Sequence, residues 1–345
     1  MMLKYLQGNW ERLDLDRYSP TRQLDMVMIT PRFWASSHVV FLIFPKDQSK
    51  PTMVAKVPRL AGPSASISRE VANLRAVQSS RPDGFNSIPQ VIACENYAER
   101  QVLLETALAG RPMDPPTVRQ NPDRCCRAVV NWLERLQVVT RQETNGSKEW
   151  YEKQVNHSIR DLRRLLSLTA AEEEVLAKTE KIATPLRDVH LPLVFTHGDL
   201  SHPNVMWLDE HQPAVVDWEL ADPQGLPGTD LFMFLTYIAF ARHKTRSSGN
   251  YLPAFQEAFF SDEAWAQPYI KSYAHALRLE VETLKALFIL TWLRYSASLL
   301  NRIQEAPQTS GKLGAKTAAW IRDNRYYQLW QYAVNHVEDL KWSLV

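Results

Sequence analysis

Short apolar runs separated by turn residues dominate the first hundred residues of the chain. Four runs have the length and β-branched content of strands, and the segments between them contain Pro, Asp, Gly and Asn. Between the second and third runs, apolar residues recur at the spacing of one helix face, and Ser66 is available to cap the first turn. The predicted strands are His38 to Phe44, Met53 to Val57, Pro89 to Ala93 and Gln101 to Glu105, and the helix face consists of Ile67, Val71, Leu74 and Val77.

Beyond the fourth run the pattern changes to that of long helices. Asn121 and Pro122 suit the cap and the first turn of one helix, and Thr169 and Glu172 have the spacing of a capping box at the start of another. The last hundred residues are again mostly helical in pattern. These patterns predict a small lobe rich in strands over residues 1–107 and a larger, mainly helical lobe over residues 108–345.

Composition excludes several classes of protein. The 345 residues are 45% hydrophobic and 23% charged, which is typical of a soluble globular chain, and a net charge of +2 provides no cationic field for nucleic acid. Three cysteines form neither a disulfide framework nor a zinc site, and Cys125 and Cys126 fall on an apolar helix face typical of a core. The chain begins without an apolar leader, and the uncharged stretch Ala286 to Leu293 is too short for a membrane. We expect a cytoplasmic protein with no membrane or nucleic acid partner.

Candidate chemistry is concentrated in one interruption of the helical pattern. Val205 to Leu208 and Ala214 to Val216 resemble two short strands joined by a turn. If they pair, Asn204 and Asp217 become neighbours at the open end of the hairpin, and Asp199 lies five residues before Asn204. A cluster of oxygen ligands without cysteine suits Mg²⁺ that completes its shell with phosphate oxygens, so it implies a nucleoside triphosphate.

The same segment resembles the aminoglycoside phosphotransferase and choline kinase-like family. The catalytic loop of that family has the form HGDxxxxN and is followed by a short hairpin and a DxE or DxD segment. The resemblance implies an α+β, bilobal protein kinase-like fold, with a small antiparallel sheet lobe that carries one helix and a larger, mainly helical lobe. The matching residues are His197, Gly198, Asp199, Asn204, Asp217 and Glu219, followed by Asp222, Gly228 and Asp230.

The resemblance also implies roles for individual residues. Asp199 would be the base that accepts the proton of a substrate hydroxyl, while Asn204 and Asp217 would hold Mg²⁺. Lys56, on a predicted strand, matches the lysine that contacts the nucleotide phosphates, and Glu70, on the predicted helix, matches its ion-pair partner.

Other positions are assigned by the same resemblance or left open. Glu105 to Ala107 would offer main-chain groups to adenine, and Asp230 would support the catalytic loop. Glycine is absent between Gly8 and Gly62, so no Gly-rich phosphate loop is present, and Ser36 and Ser37 are its candidate replacements. Glu219 is equally compatible with a second metal and with a structural hydrogen bond. We expect His202 to be a surface loop residue, and Trp292 and Tyr295 to serve packing.

These expectations combine into one predicted activity. The chain would transfer a phosphoryl group from ATP or GTP, with Mg²⁺, to a hydroxyl group of a small molecule. From Leu226 onward, 13 Lys and Arg stand against 10 Asp and Glu, and this net charge of +3 favours a neutral or anionic, sugar-like acceptor over a polycation. The alternatives are an aminoglycoside-type antibiotic kinase, a catalytically silent nucleotide-binding member of the same fold and a metal-dependent hydrolase.

Overall fold

The computed structural model of the protein describes residues 2–30, 38–62, 64–144, 148–305 and 312–342. Ser36 and Ser37 lie outside these residues. The strands are β1 (Leu24–Ile29), β2 (His38–Pro45), β3 (Met53–Pro58), β4 (Val91–Tyr97), β5 (Arg100–Thr106), β6 (Arg111–Pro112), β7 (Gln142–Glu143), β8 (Pro192–Thr196), β9 (Val205–Trp207), β10 (Pro213–Val215) and β11 (Asp222–Gly225). The α-helices are α1 (Met2–Gly8), α2 (Ala65–Ser79), α3 (Pro115–Gln120), α4 (Pro122–Val139), α5 (Glu149–Tyr151), α6 (His157–Leu165), α7 (Ala170–Ala183), α8 (Thr229–Arg242), α9 (Thr245–Ser248), α10 (Tyr251–Phe259), α11 (Gln267–Leu277), α12 (Val281–Glu305), α13 (Ala315–Arg322) and α14 (Arg325–Asn335).

The chain divides into two compact units. The first unit consists of Met1–Pro112 and Pro203–Ala221, and the second of Met113–His202 and Asp222–Val345. Asn204 and Asp217 therefore belong to the first unit, and Asp199 belongs to the second.

The main sheet of the first unit is antiparallel and has the strand order β1-β2-β3-β5-β4. All four predicted strands are present, but the edge strand β1 was not among them. It pairs with β2 from Leu24 opposite Pro45 to Ile29 opposite Val40. Its end, Val27 to Ile29, is exposed, so the strand lacks the regular alternation of buried and exposed residues by which a sequence indicates a strand.

Strand alternation assigns the residues of β3 to two faces of this sheet. Ala55 and Val57 belong to a buried apolar cluster that also contains residues of α1, including Tyr5 and Leu6. Successive side chains of a strand point to opposite faces, so Lys56 points away from this cluster. Lys56 pairs with Val40 of β2, which places the side chains of alternate β2 residues, His38 included, on the same face as Lys56.

Helix α2 confirms the predicted helix and corrects its start. Its four predicted apolar residues are all buried. The helix begins at Ala65, and its cap is Ser64, whose hydroxyl accepts a hydrogen bond from the N–H of Ile67 at 3.4 Å; Ser66 was therefore the wrong cap. Both serines suit a helix start, so composition alone could not separate them.

The predicted hairpin is present in the first unit. Strands β9 and β10 are antiparallel, with Val205 opposite Val215, and β6 extends them into a sheet of three strands. The amide of Val216 donates to the carbonyl oxygen of Asn204 at 3.0 Å, which continues the pairing by one residue.

The second unit is mainly helical, as expected. Helix α4 starts at Pro122 after Asn121, α7 starts with the predicted capping box of Thr169 and Glu172, and both cysteines of α4 are buried. Its core is aromatic: the Phe255 and Phe288 rings stack 5.4 Å apart, and Trp292 is fully buried. None of the described helices has the length and hydropathy that a membrane crossing requires.

Candidate active site

Lys56 is the centre of an ion-pair network in the first unit. It is 4% exposed, and its ammonium group forms a short ion pair with Glu70 of α2. Its Nζ also lies 3.2 Å from Asp217 Oδ1 and 4.0 Å from Glu105 Oε1. Burial by itself favours the neutral amine, but the three carboxylates outweigh it and raise the pKa of Lys56 well above its usual range. Lys56 is therefore a permanent cation, as phosphate binding requires.

The side chain of Glu105 was not assigned from the sequence. Only the main chain of Glu105 was expected to have a role, whereas its carboxylate is buried beside Lys56 on the same face of the sheet. Alternation along β5, where Val102 and Leu104 join the opposite core, was the signal that could have found it. Burial raises the pKa of Glu105 to about 8, and Lys56 only partly opposes this shift.

The raised pKa predicts a pH dependence of stability. Between the ordinary pKa of 4.5 and about 8, the folded chain holds a proton on Glu105 that the unfolded chain has released. The free energy of unfolding should therefore fall as pH rises through this range, and Glu105→Gln should make it fall less. Urea unfolding from pH 5 to 8.5 measures the two slopes, with the exposed Glu263→Gln as the control. Equal slopes for Glu105→Gln and the wild type would contradict the assignment.

Main-chain groups near the end of β5 are already engaged in the sheet. The amide of Ala107 donates to the carbonyl oxygen of Thr52 at 3.0 Å, and the amide of Thr106 donates to that of Gln90 at 2.9 Å. These two N–H groups are therefore used within the protein and are not available to a nucleotide base.

Asn204 and Asp217 both lie at the open end of the β9–β10 hairpin. The amide of Val216, the residue before Asp217, donates to the carbonyl oxygen of Asn204. Asp217 is 40% exposed through its side chain, and its φ of 71° lies in the left-handed region that few non-glycine residues adopt. The carboxamide and the carboxylate supply oxygen donors, which is the chemistry that Mg²⁺ prefers.

The segment after Asp217 is attached to α2 through two polar residues. The amide of Trp218 donates to Glu70 Oε1 at 3.1 Å. Asn73, one turn further along α2, donates from Nδ2 to the carbonyl oxygens of Trp218 and Ala221, both at 3.0 Å. Asn73 was not predicted to have a role, although a polar residue within the apolar face of a helix indicates a buried hydrogen bond.

His38 was also missed, and it lies beside Glu219. Its side chain is 7% exposed, and its Nδ1 is 4.0 Å from Glu219 Oε2. Burial lowers the pKa of His38, and the nearby cation of Lys56 acts in the same direction. The imidazole is therefore neutral at physiological pH. Glu219 is 17% exposed, and this geometry leaves both its metal role and its structural role open.

In the second unit, Asp230 fixes the backbone of the loop that carries Asp199. Its two carboxylate oxygens accept the N–H groups of His197 at 2.7 Å and Gly198 at 2.9 Å. Burial raises the pKa of Asp230 to about 6, although both donors act in the opposite direction. The role expected for Asp230 as a support of the loop agrees with these contacts.

Asp199 accepts a hydrogen bond from Tyr295, whose hydroxyl lies 3.1 Å from Asp199 Oδ1. Tyr295 was expected to serve packing alone. Its ring does pack, with its centroid 4.3 Å from that of Tyr326, and Tyr326 shares a short hydrogen bond with the hydroxyl of Tyr237. We call Tyr237, Tyr295 and Tyr326 the tyrosine cluster.

Arg325 completes this region of the second unit. Its Nη2 donates to the hydroxyls of Tyr326 at 2.7 Å and Tyr237 at 3.0 Å. Its guanidinium carbon also lies 5.2 Å from the ring centroid of Tyr251 and 5.6 Å from that of Phe240. The guanidinium group of Arg325 is thus surrounded by aromatic rings, an arrangement that in other proteins binds the cation of a ligand.

His202 is not a surface residue, so that expectation was wrong. It is buried, its ring contacts Tyr237 edge to face, and its Nδ1 is 3.1 Å from the carbonyl oxygen of Met113. A loop position and a polar residue type suggested exposure, but the ring of Tyr237 and the main chain of Met113 lie against it.

Comparisons with known proteins identify the family and the fold of the chain. A model of the phosphotransferase enzyme family matches residues 34–269. Among solved structures, a thermostable mutant of aminoglycoside phosphotransferase APH(4)-Ia, in a ternary complex with ADP and hygromycin B, has a TM-score of 0.53 at 11% identity, covering 97% of this chain and 100% of that one. Choline kinase LicA from Streptococcus pneumoniae has a TM-score of 0.53 at 11% identity, covering 96% and 99%.

An ethanolamine kinase from Plasmodium vivax has a TM-score of 0.50 at 12% identity, covering 97% of this chain and 86% of that one. A search of curated proteins gives no significant match. At identities this low, the similarity of these structures shows a shared fold and no more. The expected α+β protein kinase-like fold is confirmed. Because the family model covers most of the sequence, including the hairpin, Lys56 and Asp230, the chain belongs to the phosphotransferase enzyme family, as its resemblance implied.

Proposed function

We propose that the protein transfers the γ-phosphoryl group of ATP or GTP to a hydroxyl group of a small molecule. The observation that carries this proposal is the buried network in which Lys56 contacts both Glu70 and Asp217. A buried cation held by a helix carboxylate, beside an acidic residue at a hairpin end, is the arrangement that positions nucleotide phosphates in kinase-like folds. Family membership and structural neighbours with a TM-score of 0.53 support the same class of reaction.

In this proposal the first unit binds the nucleotide. Lys56 steadies the phosphate oxygens, and Glu70 fixes the orientation of its ammonium group. Ser36 and Ser37 stay candidate hydrogen-bond donors to the phosphates. The main-chain groups of Glu105 to Ala107, other than the amides of Thr106 and Ala107, stay candidate contacts for the base. Two of the solved neighbours, both mutants of aminoglycoside phosphotransferase APH(4)-Ia, contain ADP or AMP-PNP, which supports an adenine nucleotide.

Asn204 and Asp217 would hold Mg²⁺. Their fit is supported by the position of both residues at the open end of the hairpin and by their oxygen donors, a carboxamide and a partly exposed carboxylate. When bound, the ion would offset negative charge on the phosphate oxygens. Lys56 contributes a second positive charge next to Asp217, so positioning and charge neutralisation together would supply most of the rate enhancement.

Asp199 would act as the general base. It accepts the proton of the acceptor hydroxyl while the acceptor oxygen forms a bond to the γ-phosphorus and the bond to the leaving nucleoside diphosphate breaks. Tyr295 donates a hydrogen bond to Oδ1 of Asp199 and so orients the carboxylate, while Asp230 holds the backbone of the loop. Assistance of this kind typically accelerates a reaction by about 10² to 10⁴.

The acceptor is proposed to be neutral or anionic and rich in hydroxyl groups, in the manner of a sugar derivative. Tyr295 connects Asp199 with the tyrosine cluster, and Arg325 places a cation among these hydroxyls. A polycationic or quaternary ammonium acceptor would meet charge repulsion from Arg325, whereas hydroxyl or phosphate oxygens would find donors.

A screen of acceptors tests the proposal. Purified protein with Mg²⁺ and ATP or GTP is incubated with sugars, sugar acids, amino alcohols and aminoglycosides, and nucleoside diphosphate and phosphate ester are measured together. We expect turnover with hydroxylated neutral or anionic compounds, above the background of the Asp199→Asn variant. Turnover confined to aminoglycosides would contradict the acceptor class and favour an antibiotic kinase.

The same screen separates the two remaining alternatives. Stabilisation of the protein by Mg²⁺ and nucleotide without turnover of any acceptor would favour a catalytically silent member of the fold. Hydrolysis of a phosphate ester in the absence of nucleotide would favour a metal-dependent hydrolase and leave the contact between Lys56 and Glu70 without a catalytic purpose.

A further inference from the structure

A group of side chains with metal-binding atoms lies next to Lys56 in the first unit. Among the described residues, His38, Asp217 and Glu219 each offer one ligand atom, and these atoms lie within 4.8 Å of one another. Ligand atoms bound at about 2.1 Å from a common ion are separated by no more than about 4.2 Å. Side-chain adjustments of less than an ångström would therefore let the three residues share an ion.

His38 supplies an independent sign of a missing partner. Its side chain is more than nine-tenths buried, and its Nδ1 has no hydrogen-bonding partner among the described residues. A buried polar atom without a partner costs free energy, so native structures usually satisfy it with a protein group, water or an ion. Nδ1 lies 4.0 Å from Glu219 Oε2, and an ion between the two atoms would give Nδ1 a partner.

The backbone that carries the two carboxylates is held in place. Trp218, between Asp217 and Glu219, is fully buried, and its N–H and carbonyl groups are bonded to Glu70 and Asn73 of α2. His38 is the first residue of β2 and lies on the same face of the sheet as Lys56. The three side chains thus project from a strand and from a segment that is hydrogen-bonded to α2, so their backbone positions are fixed.

We propose that His38, Asp217 and Glu219 form a divalent-metal site that prefers Mn²⁺ or Co²⁺ to Mg²⁺. Imidazole nitrogen is a favourable ligand for these transition metals, whereas Mg²⁺ is bound by oxygen ligands and retains several waters. The proposal rests on the proposed function in taking Asp217 as a metal ligand, and it adds one nitrogen and one carboxylate donor. It also gives Glu219 its metal role rather than its structural one.

Metal affinity in the absence of nucleotide and acceptor tests this site. Titration calorimetry measures the dissociation constants of Mn²⁺, Co²⁺ and Mg²⁺ for the wild type and for His38→Asn, with the exposed His211→Asn of the same unit as the control. We expect His38→Asn to weaken Mn²⁺ and Co²⁺ by about 10-fold to 100-fold and Mg²⁺ by less than about 3-fold. An unchanged Mn²⁺ affinity, or an equal loss for Mg²⁺, would overturn the proposal.

Two further measurements keep the test decisive if His38→Asn does not fold. Pulsed electron paramagnetic resonance of Mn²⁺ bound to the wild type should show coupling to ¹⁴N, and the absence of this coupling would overturn the proposal. Glu219→Gln should weaken Mn²⁺ binding, whereas full affinity would contradict the ligand set. Because neither readout involves phosphoryl transfer, the metal site and the proposed function can fail separately.

Discussion

Asp199→Asn is expected to remove phosphoryl transfer while leaving the fold intact. The amide cannot accept the proton of the acceptor hydroxyl, so kcat should fall by about 10² to 10⁴. An asparagine retains an oxygen at the position that accepts the hydrogen bond from Tyr295, and therefore the tyrosine cluster should keep its packing. Initial rates with the best acceptor measure the loss.

Two measurements on Asp199→Asn separate chemistry from structure. The thermal stability of the variant, and its stabilisation by Mg²⁺ and nucleotide, should match the wild type, because Lys56, Glu70 and Asp217 are unchanged. The exposed Asp83→Asn is the matched control and should keep full activity. Wild-type rates in Asp199→Asn would refute the base assignment, and loss of nucleotide binding would show that the residue acts through structure.

Lys56→Met is expected to lower the free energy of unfolding by about 3 to 5 kcal/mol at pH 8. Lys56 is the cation within 4.0 Å of Glu70, Glu105 and Asp217, and the first two are 1% and 3% exposed. Removing one partner of a buried ion pair leaves an uncompensated charge, which costs more than the pair contributed. Urea unfolding followed by circular dichroism measures the change.

The loss in Lys56→Met should depend on pH with a definite sign. Without the cation, the buried carboxylates are more easily protonated in the folded state, so the destabilisation should shrink as pH falls from 8 towards 5. The double variant Lys56→Met with Glu70→Gln should recover part of the stability, because it removes one of the unpaired charges. The exposed Lys50→Met serves as control. A loss independent of pH, or none, would contradict a charge-balancing role for Lys56.

Periodicity explains which parts of the first unit could be predicted from sequence. The strand that carries Lys56 and the helix that carries Glu70 have clear periods, and turn residues mark the hairpin whose open end carries Asn204 and Asp217. Strand β1 could not be found in this way, because its apolar side chains are exposed at a sheet edge and depend on pairing with β2.

Contacts between residues distant in sequence explain the rest. The carboxylate of Glu105 and the imidazole of His38 gain their chemistry from sheet register, which places both on the face of Lys56. Tyr295 lies in an apolar helical stripe, and its hydroxyl becomes relevant only because α12 passes the loop of Asp199 in the second unit. Alternation along a strand indicates which face a side chain such as Glu105 occupies, but it does not indicate which distant residues share that face.

The left-handed backbone of Asp217 narrows what this position can accept. At a φ of 71°, asparagine and aspartate are the most frequent residues besides glycine, whereas β-branched residues are rare. Only aspartate among these three carries a negative charge. Exchange for valine or isoleucine would therefore remove the carboxylate and also strain the backbone beside Lys56, so this position favours aspartate for two separate reasons.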